Sequence, residues 1–226
     1  MLLAIDTSTD TASLALAQDN IVLAELTWRS KQNHTMQLLP NLNQLFSLTG
    51  ITAKDLSAII VAQGPGSFNG LRVGISAAKG LAFSLEIPIV GVNSLEVAAY
   101  QYVETGLPVC AIFNAGRSEV ATATYQKKYG KWQQLVKADI VTVEYLCKHI
   151  TKRTLFCGEF LPVVTEQITT LLKSKAVIPP QIPDFKRASF LMELGKQRLD
   201  AGDIDNSVTL QPIYLRRPPI GAPKKE

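Results

Sequence analysis

Residues 64–70 read Gly64-Pro65-Gly66-Ser67-Phe68-Asn69-Gly70, and they join a short apolar run to a stretch with helical periodicity. The preceding run, Ala58 to Ala62, has the length and the β-branched content of a buried strand. Beyond the loop, apolar residues recur at the spacing of one helix face, at Leu71, Ile75 and Ala78. A strand, a glycine-rich loop and a helix in this order predict an α/β fold.

The glycine-rich loop has two interpretations that residue chemistry alone leaves open. It stands where loops bind anions, at the start of a helix. However, it lacks the Gly-Lys-Ser/Thr ending of a Walker A loop, and its Gly64-x-Gly66-x-x-x-Gly70 spacing is one residue too long for a dinucleotide fingerprint. A purely structural strand-to-helix elbow fits the same residues.

Small residues are dense in the helix that follows the loop. Gly70, Gly74, Ser76, Ala77 and Gly80 fall within eleven positions, although a glycine inside a helix costs roughly 0.5–1 kcal/mol relative to alanine. Such residues allow another helix to approach closely, so the composition favours a helix–helix contact.

Working outward from the loop, the pattern of strands and helices occurs twice. In the first half we predict strands at 2–6, 12–17, 21–28, 58–62 and 88–92, and helices after Asn33, through Leu71–Leu85 and from a Ser94 cap to about Val103. In the second half we predict strands at 108–113, 119–125, 132–138, 154–158 and 176–178, and helices at 143–150, 161–172 and 187–199. The sequence therefore predicts an α/β fold made of a duplicated βββαβαβα unit, with domains at 1–104 and 105–207 and a tail at 208–226.

Several polar groups are candidates for a site, and each also has an ordinary structural explanation. Asp6, Thr7 and Ser8 lie in a turn that can face a phosphate or its metal, yet Asp, Ser and Thr are common turn residues. Arg117 and Glu119, in the 114–119 turn, fit an exposed hairpin ion pair. No Gly-x-Ser-x-Gly elbow is present, so the sequence offers no candidate nucleophile.

Metal chemistry is disfavoured by the sequence. The chain has only two histidines, His34 and His149, in different halves and without the HExxH spacing. His34 is expected to cap or pack a helix start rather than to bind a metal. The three cysteines Cys110, Cys147 and Cys157 form no CxxC pair and are expected to be small buried side chains.

Composition and charge place the chain among ordinary globular proteins. Residues 1–104 carry 5 Lys/Arg against 8 Asp/Glu, whereas residues 105–226 carry 18 against 11. The basic half could help to attract an acidic partner such as tRNA, although its charges are scattered, and Arg216, Arg217, Lys224 and Lys225 lie in or near the tail. No apolar run reaches the roughly 18 residues needed to cross a bilayer, and no signal peptide is expected. We therefore expect a cytoplasmic protein without membrane partners.

Taken together, these segments resemble the TsaB family, also called YeaZ. The segments that carry the resemblance are Leu3-Ala4-Ile5-Asp6-Thr7-Ser8, 34–40, 64–74, 78–82, 91–96 and Pro212-Ile213-Tyr214-Leu215-Arg216. The match spans nearly the whole chain, densely over 1–100 and thinly over 120–205, and the long glycine block is the most specific part.

The resemblance implies the actin-like ATPase fold, which is related to the ribonuclease H-like fold, and it implies a role in tRNA modification. Proteins of this family act as non-catalytic scaffold subunits in forming threonylcarbamoyladenosine at position 37 of tRNA. They pair with the transferase TsaD and are joined by the ATPase TsaE, and TsaC makes the threonylcarbamoyl donor. The pairing surface is a helix bundle of the first domain, and a homodimer can use the same surface.

The resemblance assigns this pairing surface to the helices that carry Leu38, Leu42, Gly70, Leu71, Gly74, Ile75 and Ala78. On that assignment, Gly74→Leu or Ile75→Arg should abolish pairing and leave the monomer folded. The Asp6, Thr7 and Ser8 turn is expected to be a degenerate nucleotide-type turn. No metal or cofactor is expected on the chain itself, and ATP or ADP would bind at most at an interface within the complex.

Two departures from the family pattern weaken an enzymatic interpretation. The 114–119 turn, Asn114-Ala115-Gly116-Arg117-Ser118-Glu119, lacks the acid that relatives commonly have, and Cys157-Gly158-Glu159-Phe160 replaces a Gly-Asp-Gly-like turn. The alternatives that we retain are a small-molecule kinase or ATPase of the same fold, using Asp6 and its turn, and an older glycoprotease-like label. The missing metal-ligand pattern argues against the second alternative.

Overall fold

The computed structural model describes residues 1–31, 33–180 and 188–216, and it contains two five-stranded sheets. The first sheet contains the strands β1 Leu2–Asp6, β2 Thr11–Gln18, β3 Ile21–Arg29, β4 Ala58–Gly64 and β5 Ile89–Asn93. The second sheet contains β6 Val109–Gly116, β7 Glu119–Lys128, β8 Lys131–Thr142, β9 Thr154–Cys157 and β10 Ala176–Val177. Because all ten strands match predicted ones, the α/β assignment is confirmed.

The two sheets share one topology. The first has the order β3-β2-β1-β4-β5 and the second the equivalent order β8-β7-β6-β9-β10. In each sheet the first three strands form an antiparallel meander, and the last two run parallel to the first. The duplicated unit of the actin-like fold is therefore confirmed.

In the described part of the chain, six α-helices cover the sheets: α1 His34–Thr49, α2 Phe68–Leu85, α3 Ser94–Tyr100, α4 Val143–His149, α5 Leu161–Leu172 and α6 Ala188–Asp200. In β1, Leu3 and Ile5 face the core under α1 and α2, whereas Ala4 faces the core under α6. A strand covered on both faces has to be apolar throughout, which explains the continuous apolar run that predicted it.

Two helix starts differ in detail from the prediction. The side chain of Asn93, not Ser94, caps α3, because its Oδ1 accepts hydrogen bonds from the amides of Leu95 and Glu96. The Ser94 hydroxyl instead accepts a hydrogen bond from the Gly64 amide. Asn33 stands at the N-cap position of α1 but makes no capping hydrogen bond. α3 also ends at Tyr100, earlier than predicted, and is followed by a separate 3-10 turn at Val103–Thr105.

The chain returns to the first sheet after completing the second, so the lobes do not follow the predicted boundaries. α6 packs on β1, β4 and β5, although it belongs to the segment assigned to the second domain. Conversely, α3 packs against β6 and β7 of the second sheet. The predicted start of α6 at Arg187 and the tail beyond residue 216 lie outside the described residues.

Residues 203–216, which we call the C-terminal strap, lie along the first lobe. Leu210 enters the core beneath α2, and Lys79 Nζ donates hydrogen bonds to the carbonyl oxygens of Val208 and Leu210 at 2.9 and 3.0 Å. The Ile213 amide donates to the Gln63 carbonyl at 2.8 Å. The strap therefore completes the first lobe and is not a free tail.

Trp132, at the start of β8, connects the two lobes. Its ring stacks on Tyr125 of the second lobe, with 5.7 Å between ring centroids, and meets the Tyr100 ring edge-on at 5.4 Å. Trp132 contacts both the core beneath α6 and the core beneath α3. The two lobes thus share one aromatic contact.

Candidate functional site

The glycine-rich segment packs directly on the turn that follows β1. The Ser67 amide donates a hydrogen bond to the Ser8 carbonyl at 2.7 Å, and Thr7 Oγ1 donates to the Gly70 carbonyl at 2.7 Å. Within the turn, the amide and the hydroxyl of Ser8 both donate to Asp6 Oδ1, at 2.9 and 2.7 Å. The two candidate elements of the sequence are therefore one packed unit.

Three glycines of this segment are required by that packing. A Cβ atom on Gly66 would overlap the Ser8 carbonyl oxygen, one on Gly70 would overlap the Thr7 carbonyl oxygen, and one on Gly74 would overlap Thr7 Oγ1. Because the three glycines are four residues apart, they line the side of α2 and its entry that faces the turn. Their small size is explained by contacts inside the chain and needs no partner helix.

This packing closes the turn to ligands. Asp6, Thr7 and Ser8 are exposed by 1%, 2% and 0%, and the amides of Ser8 and Ser67 are already hydrogen-bonded within the chain. The structure brings the predicted nucleotide-type residues together but buries them, so they offer no surface to a phosphate.

A cleft of about 820 Å³ between the lobes begins beside the buried turn, at Thr9. Its lining includes the carboxylates of Asp10 and Glu159 and the guanidinium of Arg29. Two acids beside one cation are a poor environment for a polyphosphate, because like charges repel at close range.

In the second lobe, the turn after β9 and the 114–119 turn also differ from a nucleotide-binding site. Gly158 has φ +111°, and a Cβ there would overlap the Ile112 carbonyl oxygen, so the turn after β9 lies against β6. In the 114–119 turn, Asn114 Oδ1 accepts a hydrogen bond from the Gly116 amide at 2.8 Å. The predicted pairing of Glu119 with Arg117 is wrong: Glu119 binds Arg216 of the C-terminal strap.

Metal-binding and nucleophilic groups are not assembled in the described ranges. No group of three His, Cys, Asp or Glu side chains in residues 1–31, 33–180 and 188–216 could hold a metal ion. His34 is buried against Gly70, as a packing residue would be. All three cysteines are buried and none forms a disulfide, and burial raises the pKa of the Cys110 thiol to about 11, so it is a protonated thiol at neutral pH.

The residues predicted to form the partner interface lie in the core. Leu38, Leu42, Leu71, Ile75 and Ala78 are exposed by 3% or less and pack between α1, α2 and the first sheet, and Gly70 and Gly74 are buried as well. The structure corrects this assignment, because side chains that fill the monomer core cannot touch a partner. Gly74→Leu and Ile75→Arg would therefore disturb the fold itself.

The outer face of the same two helices carries several exposed apolar side chains among polar ones. On α1, Met36 and Leu39 are exposed by 77% and 57%, and on α2 Phe83 is exposed by 69%. Gly80 is exposed, and no atom lies within 4 Å of a Cβ built on it, so no contact inside the chain requires glycine there. We call these residues, with the partly buried Val73 and Ala77, the α1–α2 face.

Helical periodicity located these helices, but it does not say whether an apolar residue packs inside the monomer or against a partner. The C-terminal strap and its contact with Glu119 were also missed, because the apolar residues of this segment, among them Val208, Leu210 and Ile213, are too few and too irregularly spaced to predict a helix or a strand.

Comparisons with known proteins agree on one family. Residues 22–165 match the family model described as TsaD, tRNA N6-adenosine threonylcarbamoyltransferase. The chain is 36% identical over 218 residues to a Bacillus subtilis protein named tRNA threonylcarbamoyladenosine biosynthesis protein TsaB, covering 95% of this chain and 93% of that protein. It is 35% identical over 148 residues to the Escherichia coli protein of the same name, covering 62% of this chain and 64% of the relative.

Solved structures give the same result for the fold. The chain superposes on YeaZ from Pseudomonas aeruginosa with a TM-score of 0.79 and 26% identity, covering 95% of this chain and 99% of that one. A second Pseudomonas aeruginosa structure, described as an uncharacterized protein with similarity to peptidase YeaZ, gives a TM-score of 0.81 and 25% identity over the same shares of the two chains.

Proposed function

The chain belongs to the TsaB family of tRNA threonylcarbamoyladenosine biosynthesis proteins and matches the wider family described as TsaD, and from this we propose that it is a non-catalytic scaffold in that biosynthesis. In this proposal it pairs with TsaD through the α1–α2 face and recruits TsaE. TsaC supplies the donor, and tRNA is contacted through the assembled complex.

The observation that carries the proposal is the α1–α2 face. Its large apolar side chains Met36, Leu39 and Phe83 are more than half exposed, and exposing such side chains to water is unfavourable unless a partner covers them. Gly80 adds to this argument. A glycine destabilises its helix, and no contact within the chain requires one at this position, so close approach of a partner helix would explain it.

The closed turn after β1 supports a role without catalysis. A kinase or ATPase of this fold would need Asp6 and its neighbours to meet a phosphate or a metal ion, whereas here they are buried beneath Gly66 and Gly70. We place any ATP or ADP with TsaD or at the shared interface. The kinase alternative predicts Mg-ATP binding by the isolated chain, which calorimetry can measure directly.

The proposal is tested by reconstitution. The chain is purified with TsaD and TsaE of the same organism, and threonylcarbamoyl transfer to tRNA is measured with TsaC as the source of donor, with and without this chain. We expect modification to depend on the chain. Modification that proceeds equally well in its absence, with no complex formed, would refute the scaffold role.

The surface is tested by replacing Leu39 and Phe83 with glutamate together. Because buried interface anchors contribute most of the binding energy, we expect the affinity for TsaD to fall at least tenfold, or about 1.4 kcal/mol. The free energy of unfolding of the free chain should change by less than about 0.5 kcal/mol, because both side chains are exposed.

Tyr129→Glu is the matched control for this double variant. Tyr129 is fully exposed at the β7–β8 turn, far along the chain from α1 and α2. It should leave both pairing and stability unchanged, and equal affinities for all three proteins would exclude the α1–α2 face as the interface.

A further inference from the structure

The internal duplication gives the chain a second pair of outer helices. α1 and α2 follow the third and fourth strands of the first sheet, and α4 and α5 follow the third and fourth strands of the second. The inward side chains of α4 and α5 pack against Cys110, Ile112 and Phe156 of the second sheet. The α4–α5 pair therefore has the same place on its lobe as the α1–α2 pair.

The outer side of this second pair also carries exposed apolar side chains. Val163, Leu171 and Tyr145 are exposed by 69%, 49% and 54%. The second-lobe core takes Val164, Ile168 and Leu172 from α5, so Val163 and Leu171 are not needed to hold the helix in place.

A shallow groove of about 390 Å³ runs between these helices. Val163, Gln167 and Leu171 line it at four-residue intervals, which places them in one row along α5. A row of this length is matched by a helix that presents apolar residues at i, i+4 and i+8.

The charged side chains in the groove are acidic. Glu144 and Glu166 line it, and no lysine or arginine among the described residues does so. The pKa of Glu144 is lowered by hydrogen bonds from its own backbone amide and from Thr142, and Gln167 Nε2 donates to its Oε1 at 2.5 Å. Glu144 therefore carries its charge at neutral pH, although the second half of the chain is basic overall.

We propose that the α4–α5 groove docks a basic amphipathic helix of a second protein while the α1–α2 face holds the first. This proposal rests on the scaffold function, because a protein that joins two others needs two surfaces that do not overlap. Lysine or arginine side chains beside the apolar row of the incoming helix would meet Glu144 and Glu166, and its apolar side chains would cover Val163 and Leu171.

The same charges argue against two other occupants. In a symmetric contact with a second copy of this chain, identical patches meet, so Glu144 and Glu166 would face each other. A membrane surface with anionic lipids would be repelled for the same reason. A basic helix is the occupant that both the apolar row and the carboxylates fit.

The first test uses a fluorescein-labelled, 18-residue helical peptide with a leucine stripe flanked by lysines, and the same peptide with glutamates in place of the lysines. Fluorescence anisotropy is measured with the unmodified chain, Glu144→Lys/Glu166→Lys, Leu171→Ala and Leu39→Glu/Phe83→Glu. We expect the lysine peptide to bind the unmodified chain at least tenfold more tightly than the glutamate peptide does.

The variants separate the groove from non-specific attraction. Charge reversal should weaken the lysine peptide at least tenfold and strengthen the glutamate peptide, and Leu171→Ala should weaken both peptides at unchanged charge. Leu39→Glu/Phe83→Glu should have no effect. Equal binding by the charge-reversal variant, or loss of binding in the α1–α2 variant, would overturn the proposal.

The second test places a photo-crosslinking amino acid at Val163 and irradiates the chain with TsaD, TsaE and tRNA. A crosslink to TsaE supports the groove as a docking site, whereas a crosslink to TsaD would show that the first partner also covers the groove and would overturn the proposal. A crosslink to a second copy of the chain, to tRNA alone or to nothing overturns it. If Val163 gives no crosslink while Leu39→Glu/Phe83→Glu weakens the pairing with TsaD, only the α4–α5 groove is refuted. If Val163 crosslinks but Leu39→Glu/Phe83→Glu leaves that pairing unchanged, only the α1–α2 face is refuted.

Discussion

Two kinds of glycine occur in α2, and they have different physical reasons. Gly70 lies against the backbone of Thr7, where any Cβ would overlap a carbonyl oxygen. Gly80 faces open space on the same helix. The packing against Thr7 requires the first glycine, whereas the second weakens the helix and has no contact within the chain that requires it.

Alanine at these two positions should therefore have opposite effects. We expect Gly70→Ala to lower the free energy of unfolding by about 1–3 kcal/mol, because the added methyl group overpacks a rigid contact. We expect Gly80→Ala to raise it by up to about 1 kcal/mol, because alanine is the better helix former. Urea unfolding followed by circular dichroism measures both changes, and a loss of stability in both variants would contradict the distinction.

At the scale of elements, the C-terminal strap is as much a part of the first lobe as its own helices. Leu210 is 5% exposed and packs in the core beneath α2, whereas Val208, two residues earlier, is 65% exposed. Lys79 binds both of these residues through their backbone carbonyl groups, so the strap is fixed by its main chain as well as by the apolar anchor Leu210.

Truncating that anchor should destabilise the protein. We expect Leu210→Ala to lower the free energy of unfolding by about 2–4 kcal/mol, in the range of buried leucine truncations. Val208→Ala is the control and should change it by less than about 0.5 kcal/mol, since little of this side chain is buried. Equal effects in thermal or urea unfolding would show that the strap does not contribute its leucine to the core.

These elements show how far the sequence was informative. Strands such as β1 and β4 were predictable because they are covered on both faces and are therefore continuously apolar. The helix cap was placed one residue late, because Asn93 and Ser94 are both good capping residues and only the backbone geometry distinguishes them.

The candidate site was harder to predict than the fold. Periodicity identifies an apolar helix face but not what covers it, so the residues of the core were assigned to a partner interface. Contacts between residues far apart in sequence, such as Arg216 with Glu119 or Gly66 with Ser8, leave no local pattern. The composition of α2 indicated a close contact of its small residues, but it did not show which residues they contact.

At the scale of the whole molecule, Trp132 joins the two lobes into one aromatic cluster. Trp132 contacts Tyr100 and Tyr125. Tyr100 in turn fixes the cluster to α6, because its hydroxyl donates a hydrogen bond to Glu193 at 2.6 Å. An opening of the lobes would have to break these contacts together.

We therefore expect one cooperative unfolding transition. Trp28→Phe leaves Trp132 as the only tryptophan, and its fluorescence should report the same midpoint as far-ultraviolet circular dichroism. In Trp132→Ala, Trp28 reports on the first lobe alone. We expect this variant to have a free energy of unfolding lower by about 3 kcal/mol. Separate transitions in the Trp28→Phe protein would show that the lobes unfold independently.

The return of α6 and the C-terminal strap to the first sheet also has a consequence for the order of folding during synthesis. A domain made of consecutive residues can fold while the ribosome translates the next one. Here the first lobe lacks one covering helix until residue 200 and a core leucine until residue 210. The second sheet, whose strands all lie between Val109 and Val177, is complete first. The lobe that begins the chain is thus the last to close, and a ribosome stalled before residue 188 would carry a nascent chain whose first sheet still lacks α6 on one face.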